Sequence, residues 1–239
     1  MDAARLQRVG DAAIGLSAVL PVVFVAVLLA LRWPEYWMWI NFEDTPMTSL
    51  EVAVMYTSAL VAAAAGAHAW VYRHPRARDW AVLAMAFGYF ALDDRFALHE
   101  RLRDRVLAPR DIRLPWIDWI GPGDFIVLGF AVCGLLMLPR LLRNVFGERA
   151  ARRRMLAGVA VAMVAVGLDA FELSRLTVPM QRLEQTIEEC LELAAQVLFL
   201  QAFALAWLAQ LRALAQSAGV DRRSGNAGAD CAGPAVFDR

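Results

Sequence analysis

Six apolar segments of transmembrane length constrain the fold more than any other feature of the sequence. A helix needs ~20 mostly apolar residues to cross the ~30 Å hydrocarbon core of a bilayer. The segments are residues 12–31, 50–72, 80–98, 125–142, 155–173 and 187–211. Hydrophobic residues make up 59% of the chain, against roughly 45–50% in soluble domains. We therefore predict an all-α, polytopic integral membrane protein, whose six transmembrane helices form a compact bundle within residues 1–211.

The segments between these helices carry residues that are typical of a membrane surface. Residues 32–49 contain three tryptophans and a tyrosine, as in the aromatic belt of a bilayer interface. Residues 102–123 are rich in Pro, Trp and charge, and they predict a short interfacial excursion. From residue 212 the composition changes to Gly, Ala, Asp and Arg, so residues 212–239 are predicted to form a disordered cytoplasmic tail.

Charge is distributed unequally between the two sides of the predicted membrane. The formal net charge is zero, yet 15 of the 24 basic residues lie on the side that holds both termini. On or toward the opposite side lie 17 of the 24 acidic residues. Because cytoplasmic loops carry an excess of Arg and Lys, we predict a multi-pass protein of a bacterial-type inner membrane with both termini cytoplasmic. The outer face should attract cations.

The composition argues against two other classes of protein. The 24 basic residues, all arginines, are matched by 24 acids, so there is no excess of positive charge for a nucleic-acid partner. Cys133, Cys190 and Cys231 form no C-x-x-C pair, and their spacing predicts neither a disulfide framework nor a zinc finger. The partner that the sequence does predict is the lipid bilayer.

Several acids lie at a depth where a bilayer tolerates few charges. Asp93 comes 13 residues after the start of the third segment, and Asp169 comes 14 residues after the start of the fifth. At 1.5 Å per residue, both lie ~20 Å above the inner edge of the membrane. Glu192, 19 residues before the end of the sixth segment, lies at or just above that level. A charge near the membrane centre costs ~2.5–3.5 kcal/mol by insertion scales, so this layer predicts a function or partner charges.

Helical periodicity assigns the acids of the third segment to faces. Asp93 and Glu100 are seven residues apart and share a face. His99 points ~120° away from Asp93 in a regular helix. Either the helix is distorted at this point, or Asp93 and His99 have different roles.

Acids at helical spacing on the fifth and sixth segments extend the predicted site. Asp169 and Glu172 are i,i+3 neighbours, and Glu189 and Glu192 lie on one helical stripe. Clusters of Asp and Glu with one or two His bind divalent metals, and we expect Zn, Fe or Mn. The predicted catalytic residues are His99, Asp93 and Asp169, and the predicted metal ligands are Asp93, His99, Glu100, Asp169, Glu172, Glu189 and Glu192.

Glu51, at the start of the second segment, has two interpretations. Thr48-x-x-Glu51 matches the capping box S/T-x-x-E, which would give this glutamate a structural role at a helix N-terminus. Its position at the outer end of the segment also places it in the layer of acids.

Three functions fit this pattern. The leading hypothesis is a metal-dependent membrane enzyme, a hydrolase or an oxidoreductase, which acts on a lipid or lipid-linked substrate from the outer leaflet. The alternative is a proton- or cation-coupled transporter that uses the same acids. The nearly apolar inner halves of the segments argue against a transport path to the cytoplasm. The third is a scaffold in which each buried acid is neutralised by an Arg, although outer acids outnumber outer arginines 17 to 9.

Overall fold

The computed structural model describes the backbone of residues 3–42, 44–112, 115, 125–169 and 176–229, and the side chains of residues 5–42, 44–112, 115, 125–168 and 176–216. Every regular element in these ranges is helical, as the composition predicts. The α-helices are α1 (Ala3–Leu31), α2 (Pro46–Val71), α3 (Ala77–Phe96), α4 (Leu98–Leu102), α5 (Phe125–Asn144), α6 (Arg149–Asp169) and α7 (Val178–Ala229).

Four of these helices are long and apolar enough, by length and composition, to cross a membrane. They contain the segments Arg5–Leu31, Pro46–Val71, Phe125–Asn144 and Val178–Gln216. Helices α3 and α6, which correspond to the third and fifth predicted spans, do not meet the same criterion. Charged residues at both ends of α3 and four arginines in the first turns of α6 shorten their apolar stretches. The helices therefore support a membrane protein with four candidate spans, and they do not by themselves show the six that the sequence predicts.

Aromatic side chains form the centre of the bundle. Helix α3 packs against α2 as an antiparallel hairpin, and α7 packs against α2, α1 and α6. Phe203 on α7 is fully buried, and its ring lies 4.7 Å from Phe87, 5.9 Å from Phe146 and 6.1 Å from Trp80. Gly66 permits the close approach of α2 and α3, because a Cβ at this position would lie 3.2 Å from Cβ of Trp80.

The connection between α1 and α2 fixes the start of α7. The amide of Asn41 donates to the backbone oxygen of Arg182 at 2.9 Å, and the hydroxyl of Thr186 donates to Oδ1 of Asn41 at 2.7 Å. The guanidinium of Arg182 lies 3.9 Å from the ring centroid of Trp37. These contacts set the register of α7 against the beginning of α2, where the acids of the two helices meet.

An ion pair with a buried carboxylate joins α5 to the opposite end of the bundle. Asp79 in the first turn of α3 accepts from Nε of Arg140 at 2.7 Å and from the amide of Asn144 at 2.8 Å. Leu141 is the buried residue of α5, and the ring of Phe130, nearer the start of this helix, contacts Tyr89 and Phe90 of α3.

Helix α7 is longer than the predicted sixth span at both ends. It begins at Val178, before the predicted start at 187, and continues to Ala229, into the segment for which we predicted disorder. The alanines at 213, 215 and 218 favour helix, which explains why α7 does not end at residue 211. Residues 230–239 lie outside the described part. Of the predicted interfacial excursion, residues 103–110 form irregular helical turns, and most of residues 113–124 lie outside the described part.

Candidate functional site

A sharp turn at the end of α3 brings Asp93 and His99 together. Helix α3 ends at Phe96, and Ala97 has φ 46° and ψ 49°, a left-handed conformation, before α4 begins at Leu98. The backbone N–H of His99 donates to Oδ1 of Asp93 at 2.9 Å, and Nδ1 of His99 lies 2.7 Å from Oδ2. The regular-helix expectation that these side chains point in different directions is therefore wrong, and the distorted alternative is the one the structure adopts.

This arrangement orients the imidazole of His99. The carboxylate of Asp93 is buried, while the side chain of His99 is 28% exposed. The hydrogen bond with Asp93 raises the pKa of His99 above its ordinary value of 6.5. A carboxylate that holds one ring nitrogen fixes the orientation of the ring and leaves the other nitrogen, Nε2, to bind a ligand or exchange a proton.

Three carboxylates meet between α2 and α7. One oxygen each of Glu51, Glu189 and Glu192 lies within 4.8 Å of the other two, and we call this group the carboxylate triad. Glu51 is only 4% exposed, and its Oε1 has no hydrogen-bond partner among the described residues. Ionised carboxylates at this separation repel one another in an apolar bundle, so a cation or shared protons must compensate their charge.

The start of α2 explains why Glu51 faces α7. The N-cap is Thr45, whose hydroxyl accepts from the N–H of Thr48 at 3.4 Å, and Pro46 occupies the first turn. Proline is favoured there because it needs no hydrogen bond from its nitrogen. The helix thus begins before Thr48, and the capping-box interpretation of Glu51 is wrong: this glutamate lies inside the helix and on its buried face.

A polar contact between α3 and α7 places the triad and the Asp93–His99 pair at the same end of the bundle. Gln196, one turn after Glu192, donates from Nε2 to Asp94 at 3.5 Å. The Oε1 atom of Gln196 is buried and has no hydrogen-bond partner in the described part of the chain. The two groups of polar residues therefore belong to one end of the structure.

Comparison with known proteins gives a family for the chain. The model of a family described as "Domain of unknown function (DUF8692)" matches residues 16–207. The chain belongs to the DUF8692 family. The match extends from α1 into α7 and includes both the triad and the Asp93–His99 pair. No curated protein and no solved structure matches the chain.

The remaining predicted site residues of this DUF8692 protein lie apart from the triad or outside the described part. Glu100 is partly exposed and lies 3.9 Å from the guanidinium of Arg103. The backbone of Asp169 ends α6, but its side chain and all of Glu172 lie outside the described residues. The predicted set thus includes two members of the triad, Glu189 and Glu192, and both members of the pair.

Sequence reasoning missed two residues of the site. Glu51 had two interpretations, a cap and a member of the layer of acids, and it was left out of the predicted ligands because Thr48-x-x-Glu51 fits the cap motif. The stronger signal was Thr45-Pro46, which starts the helix three residues earlier. Gln196 lies on the same helical stripe as Glu189 and Glu192, so periodicity alone places it beside them.

Proposed function

We propose that this protein is a multipass inner-membrane enzyme that binds a divalent cation through Glu51, Glu189 and Glu192. The observation that carries this proposal is the burial of Glu51 against two further carboxylates, with Oε1 unsatisfied by any described residue. A buried acid without a partner is expensive. A cation bound by all three groups offsets their repulsion and supplies the missing contact.

The donor set of the triad favours a hard cation. All three side chains offer oxygen, which suits Mg²⁺, Mn²⁺, Ca²⁺ and the iron of carboxylate-rich helical bundles. Zinc sites more often include His or Cys. Among the metals expected from the sequence, Mn and Fe therefore fit the triad better than Zn does. When bound, such an ion polarises a substrate oxygen or activates water.

The Asp93–His99 pair is proposed to transfer protons near the metal. Asp93 fixes the ring through Nδ1, so Nε2 of this partly exposed side chain is the atom that accepts or donates a proton. Leu92, Phe96 and Leu98 flank the pair and are exposed. Exposed apolar side chains beside a polar pair suit a lipid or lipid-linked substrate that enters laterally from the outer leaflet.

We further propose that α3 and α6 complete a six-span bundle with both termini cytoplasmic. Helix α3 has 20 residues and α6 has 21, and helices of this length extend about 30 Å, the thickness of the hydrocarbon core. Trp80, Leu83, Phe87 and Ala91 of α3 are all buried, so this helix lies inside the bundle instead of on the membrane surface. Its charges lie near its ends, where water or partner residues are available.

The aromatic centre favours an enzyme over the alternative of a proton- or cation-coupled transporter. A transporter needs a polar path from the triad to the cytoplasmic side. Phe87, Phe203, Trp80 and Phe146 instead fill the bundle between the triad and the Asp79 end with buried rings. The polar end is therefore better suited to a pocket with access from one side.

Metal analysis of the purified full chain tests the proposal. We expect stoichiometric Mn or Fe in the wild type after loading, and loss of this metal in Glu51→Gln and Glu192→Gln, because each substitution keeps the shape of the side chain and removes one charged ligand. Glu188→Gln is the matched control, since it makes the same change on α7 outside the triad, and it should retain the metal. An equal loss in the control, or a wild type without metal that takes up protons in proteoliposomes, would overturn the enzyme proposal.

A further inference from the structure

An apolar groove with two arginines lies between the C-terminal end of α5 and the N-terminal end of α6. Its volume is ≈ 400 Å³, and it is open to the surface. On α5 the groove lies between Phe130, whose ring contacts Tyr89 and Phe90 of α3, and the buried Leu141. It is lined by Leu135, Leu138, Pro139, Leu142, Arg143 and Arg152.

The two arginines of this groove differ from their neighbour Arg140. Arg140 is neutralised by Asp79 at 2.7 Å. Arg143 uses Nε to donate to the backbone oxygen of Pro139 at 3.2 Å. In the described part of the chain, neither Arg143 nor Arg152 contacts a carboxylate. The one nearby acid on the connection between the helices, Glu148, accepts from the N–H of Ala151 at 2.8 Å. Positive charge therefore remains available in the groove.

The groove offers both kinds of surface that an amphiphile needs. Leu135 lies four residues before Pro139 on α5, and the guanidinium of Arg143 folds back so that its Nε donates to the backbone oxygen of Pro139. Apolar and cationic side chains therefore line the same groove. Because α5 is apolar enough to span a membrane, a lipid reaches the groove laterally, with its headgroup at the level of the arginines.

We propose that this groove binds an anionic glycerophospholipid. Arg143 and Arg152 contact the phosphate and headgroup, and Leu135, Leu138 and Leu142 contact an acyl chain. Basic pockets between transmembrane helices bind anionic headgroups in this way, and guanidiniums suit phosphate because they offer paired donors. The site is separate from the carboxylate triad: α5 is joined to α3 at Asp79, whereas Asp93, 14 residues later, lies at the other end of α3.

Lipid binding to the purified full chain in neutral detergent tests this proposal. Native mass spectrometry with added phosphatidylglycerol should show one retained lipid, and phosphatidylcholine should be retained much less. The variant Arg143→Gln/Arg152→Gln should bind phosphatidylglycerol about 30-fold more weakly, since each arginine contributes about fivefold. Arg153→Gln/Arg154→Gln is the matched control, because it removes the same charge from exposed positions next to the groove, and it should weaken binding far less.

A variant without a change in charge separates the groove from general surface attraction. Leu135→Trp fills the apolar part of the groove and should displace the lipid while leaving both arginines in place. Equal weakening by the two double arginine variants would assign the effect to the basic surface and overturn the proposal. Displacement of the lipid by inorganic phosphate at the same concentration would also overturn it, because the leucines would then contribute nothing to binding.

Discussion

Ala97→Gly should stabilise the protein, although the same substitution normally weakens a helix. Ala97 has φ 46°, and the left-handed conformation costs an L-residue roughly 1–2 kcal/mol. Glycine avoids this cost but loses about 0.5–1 kcal/mol more backbone entropy on folding. The net expected gain in the free energy of unfolding is therefore about 0.5–1 kcal/mol.

Ala81→Gly is the matched control for this prediction. Ala81 is an exposed residue inside α3, where it has ordinary helical geometry, so glycine should cost about 0.5–1 kcal/mol. For a domain of this size, 1 kcal/mol changes Tm by roughly 2–4 °C. Thermal unfolding in the same detergent, followed by circular dichroism at one scan rate, should show Tm shifts of opposite sign for the two variants.

A third variant connects this turn to the candidate site. Ala97→Val places a β-branched side chain at a positive φ, which such residues rarely adopt. The turn should then straighten, separate His99 from Asp93 and bring the NMR-detected pKa of His99 down toward 6.5, its ordinary value. Equal destabilisation by Ala97→Gly and Ala81→Gly, with no change in the His99 titration in Ala97→Val, would refute the left-handed turn.

Two further predictions concern an ion pair and a pH dependence. Arg140→Ala should destabilise the protein by about 3 kcal/mol, because it leaves Asp79, which is only 2% exposed, with one partner. Asp79→Ala should destabilise it less, because the guanidinium that it leaves unpaired is 56% exposed to water. Adding Asp79→Ala to Arg140→Ala should recover part of the loss, and no recovery would contradict this asymmetry. His99→Gln should lower the free energy of unfolding by its full amount below pH ~6.5. The difference from wild type should decrease as pH rises through the raised pKa of His99. Unfolding at several pH values measures it, and a loss that grows with pH would contradict the prediction.

The sequence predicted a layer of acids but not how Asp93 pairs with His99. Counting residues along each apolar segment placed Asp93 and Glu192 at similar depth, and the structure places both at one end of the bundle. Periodicity failed at His99 because it assumes uniform helical dihedral angles. A glycine or an asparagine at position 97 would have indicated a left-handed residue, but an alanine gives no such indication. The contact between Asp93 and His99 therefore became visible only in three dimensions.

The charged ends of α3 show a different limit of sequence reasoning. An apolar run is easy to recognise, but the length of α3 depends on where its end charges lie and on what they contact. Asp79 accepts hydrogen bonds from Arg140 and Asn144 of α5, which come 61 and 65 residues later in the chain. Such long-range partners decide whether a charged helix end is tolerated inside a bundle, and residue composition alone does not contain that information.

Asp79 and Glu51 together argue against a purely structural role for the buried acids. Both carboxyl groups are almost completely buried, at 2% and 4% exposure. Asp79 shows how this fold satisfies a structural acid, since each of its oxygens accepts a hydrogen bond and one of them from a guanidinium. Glu51 instead faces Glu189 and Glu192, and Oε1 has no partner among the described residues. Because a scaffold would gain stability by replacing such a glutamate with an apolar residue, these contacts support the proposal that the three carboxylates bind a cation.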